Sequence, residues 1–199
     1  DSGAITLDGS PITGLPPYAI ARLGVARTFQ TAQLFGDLTA RENVAVGLAG
    51  DRPGSLFGAL IGTAGTRRRE RALLRDADQF LAATGLGDIA DHPSESLPAG
   101  LRRRLEIVRA LARRPRLLLL DEPAAGLPPG EIEELDGQLR ALSDRGGPAI
   151  VLVEHHMDLV MAVSDTISVL DEGRVIASGP PDSVREDPAV VEAYLGVTA

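Results

Sequence analysis

Short apolar runs separated by turn residues set the rhythm of this chain. Leu117–Leu120 is an unbroken leucine run and Ala149–Val153 reads AIVLV. Runs of this length, closed by proline, glycine or charge, predict strands buried within a parallel sheet. Between them Glu131–Asp144 is predicted as a helix, closed by Gly146–Gly147. Upstream, Leu105, Val108 and Leu111 fall on one side of a helix that Gly100 precedes and Pro115 stops. Thr66–Thr84 is strongly helical, and its RRRER start reads as a solvated face. Thr39 stands three residues before Glu42, a capping-box pattern that opens another helix. Nearer the start, Ile5–Leu7 reads as a short strand, Tyr18–Leu23 as a brief helix, and Gly24–Gln30 as a strand ending in polar residues. Pro53–Gly65 is glycine-rich and apolar, which predicts a mobile loop or a short helical hairpin. Toward the end, Met157–Val163 is predicted helical. Thr166–Leu170 and Arg174–Ala177 flank a DEG hairpin turn, and one C-terminal helix is predicted to hold Val184 and Pro188–Leu195. Strand and helix alternate without repeats, so the fold class is α/β with a mostly parallel sheet.

Composition narrows the chemistry. With 199 residues, 44% of them hydrophobic, the chain buries a real core in one domain or one domain with a helical insertion. Aromatics are only 3%, so that core is built of Leu, Val, Ile and Ala. A net charge of -8 argues against nucleic-acid binding through a general basic surface. The chain has no cysteine, which excludes disulfides, thiolate metal sites and a cysteine nucleophile. No apolar stretch approaches the roughly 20 residues of a membrane span, and DSGAITLDG lacks the pattern of a signal peptide, so a cytoplasmic location is the default. All 20 basic residues are arginine. A phosphate loop of the G-x-x-x-x-G-K-[ST] type needs a lysine, and these residues supply none.

Asp121 and Glu122 end the leucine run, an arrangement similar to the metal-holding strand of a nucleotide hydrolase. Taken singly, each candidate has an ordinary structural alternative. Asp121–Glu122 could cap a helix, Gln30 could be a surface amide, His155 a structural histidine, and Gly100 a turn residue.

In order along the chain they form a pattern. ARTFQ resembles the Q-loop of ABC transporter ATP-binding subunits, with Gln30 as its glutamine. LPAGLRRRLEIVRAL at Leu97–Leu111 resembles the signature motif and its helix. LLLLDEP resembles Walker B, AAGLPP at Ala124–Pro129 the D-loop, and VEHHMDLV the H-loop. SVLDEGRVIASGPPDSV resembles the closing hairpin and helix of that family. Within it, LTARENV, the glycine-rich insert before RRRERA, RRLEI, DEPAAGL, EHHMDLVM and DPAVVEAYLG are most similar to the branched-chain amino acid importer type. Lipopolysaccharide-export and urea-importer subunits are near neighbours.

The resemblance implies a P-loop NTPase-like sheet flanked by helices, with a helical signature subdomain at about 36–113. It implies ATP and magnesium as ligands of the full-length protein. Asp121 and Gln30 would serve the metal, and Glu122 would orient or polarise the attacking water. His155, rather than His156, would contact the γ-phosphate. Gln30 would also link the nucleotide to the membrane partner. Leu97, Pro98, Ala99 and Gly100 of the signature, with Leu127 of the D-loop, would face nucleotide; Gly100 would open a helix whose N–H groups face an anion. Transmembrane permease subunits and a second ATP-binding subunit are the implied partners, at the inner face of the cell membrane.

Several positions depart from the family pattern. Pro98 stands where the signature has serine, Ala99 where it has the first glycine, Leu101 where it has glutamine, and Pro128 where the D-loop has a polar residue. In the family, SGAITLDG follows the phosphate loop. The first strands and Walker A are therefore expected upstream of Asp1, with a gap in the sheet and no ATP held by this chain alone. The alternative is a non-enzymatic interaction module of the same lineage.

Overall fold

The computed structural model describes residues 2–29, 32–50, 64–144 and 146–195. The leucine run forms a strand at Leu117–Asp121 that is hydrogen-bonded on both sides. Val25–Arg27 lies parallel on one side, and Ala149–Val153 lies parallel on the other. In chain order the strands are β1 (Thr6–Leu7), β2 (Ser10–Pro11), β3 (Val25–Arg27), β4 (Leu117–Asp121), β5 (Ala149–Val153), β6 (Ile167–Asp171) and β7 (Arg174–Gly179). The helices are α1 (Pro17–Arg22), α2 (Ala40–Ala49), α3 (Ala64–Ala83), α4 (Ala99–Ala112), α5 (Pro129–Asp144), α6 (Met157–Val163), α7 (Pro181–Arg185) and α8 (Pro188–Leu195). The order β3-β4-β5 is the central parallel sheet; β1-β2 and β6-β7 are separate antiparallel pairs.

Local chemistry explains most boundaries. Thr39 caps α2 by accepting the Glu42 N–H while Glu42 reaches back to the Thr39 N–H, so the capping box is complete. The β6-β7 hairpin turns through Glu172 and Gly173, both at positive φ, as a two-residue primed turn requires. The single C-terminal helix expected from the sequence is instead two. Pro188 disfavours a helical Asp187, and the Asp187 carboxylate accepts the Ala189 N–H to start α8 afresh. Gly100 does not precede α4 but lies within its first turn, because exposed Pro98 takes the N-cap position. Of the expected Pro53–Gly65 loop, residues 53–63 lie outside the described residues, while Ala64 and Gly65 open α3.

Three cores follow. The first joins α2, α3 and α4 through Val44, Leu81, Leu105 and Val108. The second lies under the parallel sheet, with Ile107 of α4 against Leu118, Leu120, Leu135 and Leu159. A third, smaller cluster holds Ile167, Ala177, Val184 and Val190. Leu118 and Leu120 are sealed, as the leucine run predicts. β5 is not: Val151 and Val153 are 51% and 58% exposed. They border a groove of about 590 Å³ between β5 and β6, lined also by Leu139, Val163 and Leu170. The AIVLV run therefore behaves as an edge, because among the described residues β5 has a ladder only toward β4.

Helices α2 and α4 touch closely at Gly47. A Cβ there would overlap the Arg109 carbonyl oxygen and stand 3.1 Å from Ala112 Cβ. Alanine is favoured over glycine in a helix by about 1 kcal/mol, yet the obstacle is backbone and cannot rotate away. Gly47→Ala is expected to lower stability by about 1–2 kcal/mol, read from a denaturant midpoint. Wild-type or greater stability would mean that the crossing does not need glycine.

Candidate active site at the carboxyl edge of the sheet

Parallel strands all end at the same edge, where ligands of open α/β sheets bind. Register brings three chain segments there. The Thr28 N–H donates to Leu119 O (3.0 Å), and the Glu122 N–H donates to Val153 O (2.8 Å). Residues following β3, β4 and β5 thus leave the sheet side by side.

Asp121 is the last residue of β4, with its side chain one-third exposed. Its Oδ2 lies 2.9 Å from Arg27 Nη2, and Arg27 in turn sits over the Phe29 ring. Glu122 comes next with φ of 45°. A non-glycine residue in this region costs on the order of 1–3 kcal/mol and clusters at functional positions. Three bonds hold it there. Its N–H is fixed by Val153, and its carbonyl accepts both Arg103 Nη2 at 2.8 Å and the Ala125 N–H at 3.1 Å.

The third segment begins at Glu154, whose side chain is fully buried. Its carboxylate accepts the N–H groups of Ala124 (2.8 Å), His155 (2.8 Å) and His156 (3.2 Å), tying the exit of β4 to that of β5. The His155 side chain is 60% exposed and projects from this turn, with Nδ1 3.6 Å from Glu154 Oε2. His156 is half-buried, stands at the N-cap of α6, and packs its ring edge-on to His155. Ligand atoms of Glu154, His155 and His156 lie within 4.8 Å of one another. The Glu154 carboxylate is occupied by backbone N–H groups, which disfavours it as a metal ligand.

The remaining candidates divide. Leu97 is buried in the first core, whereas Pro98 and Ala99 are exposed at the start of α4. Gly100 is buried because the Glu131 carboxylate occupies the space a Cβ would need. Leu127 is half-buried against the second core. Gln30 lies outside the described residues.

Sequence reasoning passed over Arg27, Arg103, Glu106 and Glu154. Arg103 and Glu106 form a buried ion pair at 3.0 Å on α4. Glu106 also accepts the N–H of Gln33 at 3.0 Å and, more weakly, that of Phe29 at 3.5 Å. A charge set within the apolar LEIV stretch was the available signal for Glu106, and a carboxylate directly after a buried strand was the signal for Glu154. Farther along the same loop, Asn43 clamps Phe35 by accepting its N–H (3.0 Å) and donating to its carbonyl (3.1 Å). Arg109 lies over the Phe35 ring, and its burial pushes the guanidinium pKa down against the opposing pull of Glu106.

The donor set suits a hard cation: two carboxylates, Asp121 and Glu122, stand side by side in sequence at the end of β4. Removing the Glu154 carboxylate should be costly. Glu154→Ala is expected to destabilise by about 2–4 kcal/mol, since each stranded buried N–H costs roughly 1–3. Amide exchange at Ala124, His155 and His156 should accelerate. Unchanged exchange at all three would refute the bridging role.

Comparison with known proteins gives the family. The ABC transporter family matches residues 1–125, and a branched-chain amino acid ATP-binding cassette transporter family matches residues 174–199. The chain is 42% identical over 194 residues to the high-affinity branched-chain amino acid transport ATP-binding protein BraF of Pseudomonas aeruginosa, covering 98% of this chain and 76% of that protein. It is 41% identical, with the same coverage, to LivG of Escherichia coli K12, which carries the same description. Among solved structures, the ADP conformation of an ATP-binding cassette of an ABC transporter superposes with a TM-score of 0.77 at 29% identity, covering 98% of this chain and 78% of that one. With its carboxylate pair at the end of a central parallel strand and its sequence matched nearly end to end, the chain belongs to the family of ABC transporter ATP-binding proteins.

Proposed function

We propose that this chain is the catalytic-carboxylate-bearing part of an ATP-hydrolysing subunit in an importer of branched-chain or related amino acids. The similarity to branched-chain amino acid transport subunits along nearly the whole chain carries this reading. Asp121, with Gln30, would hold magnesium, which when bound neutralises charge developing on the transferred phosphoryl group. Glu122 takes the proton-accepting or water-orienting role. Its backbone is already fixed in an uncommon conformation, so its carboxylate needs little reorganisation. His155 projects from the same edge and is suited to hydrogen-bond a phosphate oxygen. Of the signature residues, exposed Pro98 and Ala99 are assigned to the face that meets nucleotide held by a second ATP-binding subunit, while Leu97, Gly100 and Leu127, buried or half-buried, shape the backbone behind it.

A permease partner is supported by the surface after β3. Phe29 and Phe35 are each 50% exposed in a protein with only four phenylalanines. Phe35 borders a groove of about 310 Å³ with Arg27, Val46, Arg109 and Arg113. An aromatic rim with cationic walls fits a membrane subunit's cytoplasmic segment that offers apolar and acidic side chains. No helix among the described residues is long and apolar enough to cross a membrane. The proposed location is cytoplasmic, peripheral on the inner face of the cell membrane.

In the full-length subunit assembled with its permease, Glu122→Gln is expected to lower turnover on the order of a hundredfold or more while ATP still binds. Normal single-turnover hydrolysis in that variant would refute the assignment. His155→Ala should inactivate the assembly, whereas His156→Ala should leave substantial turnover; the reverse result would shift the assignment by one residue. The isolated 199-residue chain, which has no lysine to reach a phosphate, is expected to show no micromolar binding of Mg-ATP by calorimetry.

A further inference from the structure

We propose that Arg103 and Glu106 act together as a positioning pair that holds the loop after β3 and the Glu122 backbone in one fixed relation. Its catalytic consequence rests on the role proposed above for Glu122; its mechanical part does not. Both residues are almost fully buried, at 5% and 2% exposure. They lie beside Leu105, Ile107 and Val108, which pack into the adjoining cores. The mutual attraction of a buried ion pair is largely offset by the desolvation of its two charges, so it contributes little net stability of its own. What the pair touches therefore matters more than its mutual attraction.

Its partners include backbone groups of two separate segments. Glu106 Oε1 accepts the N–H of Gln33 at 3.0 Å and of Phe29 at 3.5 Å, drawing both residues to α4. Arg103 Nη1 donates to the Phe29 carbonyl and, at 3.0 Å, to Glu106 Oε2. Arg103 Nη2 donates to the carbonyls of Glu122 (2.8 Å) and Asp121 (3.4 Å). One rigid guanidinium thus spans from one loop to the other. An ammonium, compact and on a flexible stem, has no planar fork with which to do so.

Glu122 makes this contact consequential. Its φ of 45° is sparsely populated for a side-chain-bearing residue and persists only where neighbours hold it. Arg103 grips the carbonyl that follows that torsion. A shift of the loop at Phe29 or Gln33 is transmitted through Glu106 and Arg103 to the peptide that aims the Glu122 carboxylate. The pair touches neither water nor phosphate in this scheme; it acts through Glu122.

The test compares Arg103→Lys, Glu106→Gln and the apolar double variant Arg103→Met/Glu106→Leu in the full-length subunit assembled with its permease. All three are expected to lose about tenfold or more in kcat with KM for Mg-ATP changed less than about threefold. The double variant leaves the backbone groups at Phe29, Gln33 and Glu122 without these partners and is expected to melt lower, so turnover is measured well below its melting temperature, where circular dichroism shows it folded. Wild-type kcat in the folded double variant would overturn the proposal. So would full rescue by Arg103→Lys, which would reduce the role to charge alone. Should Glu122→Gln prove active, the catalytic assignment falls while amide exchange still judges the pair. In the double variant Gln33 is expected to exchange at least about tenfold faster, with α2 and α5 unchanged. Unchanged exchange at Gln33 overturns the mechanical role.

Discussion

The parallel register of three strands is the constraint on which the site depends. Val25, Leu117 and Ala149 are aligned across the sheet, and two further residues along, Arg27, Leu119 and Val151 are aligned as well. Parallel strands end at a common edge, so the segments that leave them are neighbours without any long-range loop folding to make them so. Asp121 meets Arg27, Glu122 meets the Val153 carbonyl, and Ala124 meets the Glu154 carboxylate because of this alignment. A slip by one residue would reverse the faces of β4, bury its charged end and expose Leu118 and Leu120.

Helix α4 supplies the second element of order. It is apolar on more than one side, with Leu105 and Val108 in the helical core and Ile107 in the core beneath the sheet. A helix between two cores has little polar surface left. Arg103 and Glu106 fall on the strip between those contacts, and their charge is met by loop backbone instead of water. Polar groups that would be costly if stranded thereby satisfy N–H and C=O groups that also need partners. The buried network and the two-sided packing of α4 are one solution to the same difficulty.

Much of this was legible in the residues. The leucine run, the Thr39–Glu42 capping box and the DEG hairpin are short-range signals, and short-range physics realises them. The pairing of Asp121 with Arg27 was not legible, because it joins residues 94 positions apart and is created by register. Gly100 could be recognised as special, yet not for the reason found. Its missing Cβ makes room for Glu131, a contact that no spacing along the chain discloses. AIVLV shows the same limit: the run predicts a buried strand, but burial belongs to what packs beside it, and Val151 and Val153 remain half open. Glu106 and Glu154 carried a weak signal as charges set in or against apolar runs, but sequence alone did not say which backbone groups they would serve.

The order of elements along the chain has a kinetic consequence. β3 is made early, whereas its partner β4 follows only after all of α2, α3 and α4. Closing so wide a loop costs entropy before any strand pairing offsets it. The helical core between Ala40 and Ala112 needs far shorter closures and can organise first. During that interval β3 lacks the β4 partner it has in the finished sheet. Synthesis from the amino end prolongs the wait. The three-residue length of β3 then becomes an advantage: so short a strand is a poor template for pairing with the wrong chain, and it can remain unpaired until the leucine strand arrives.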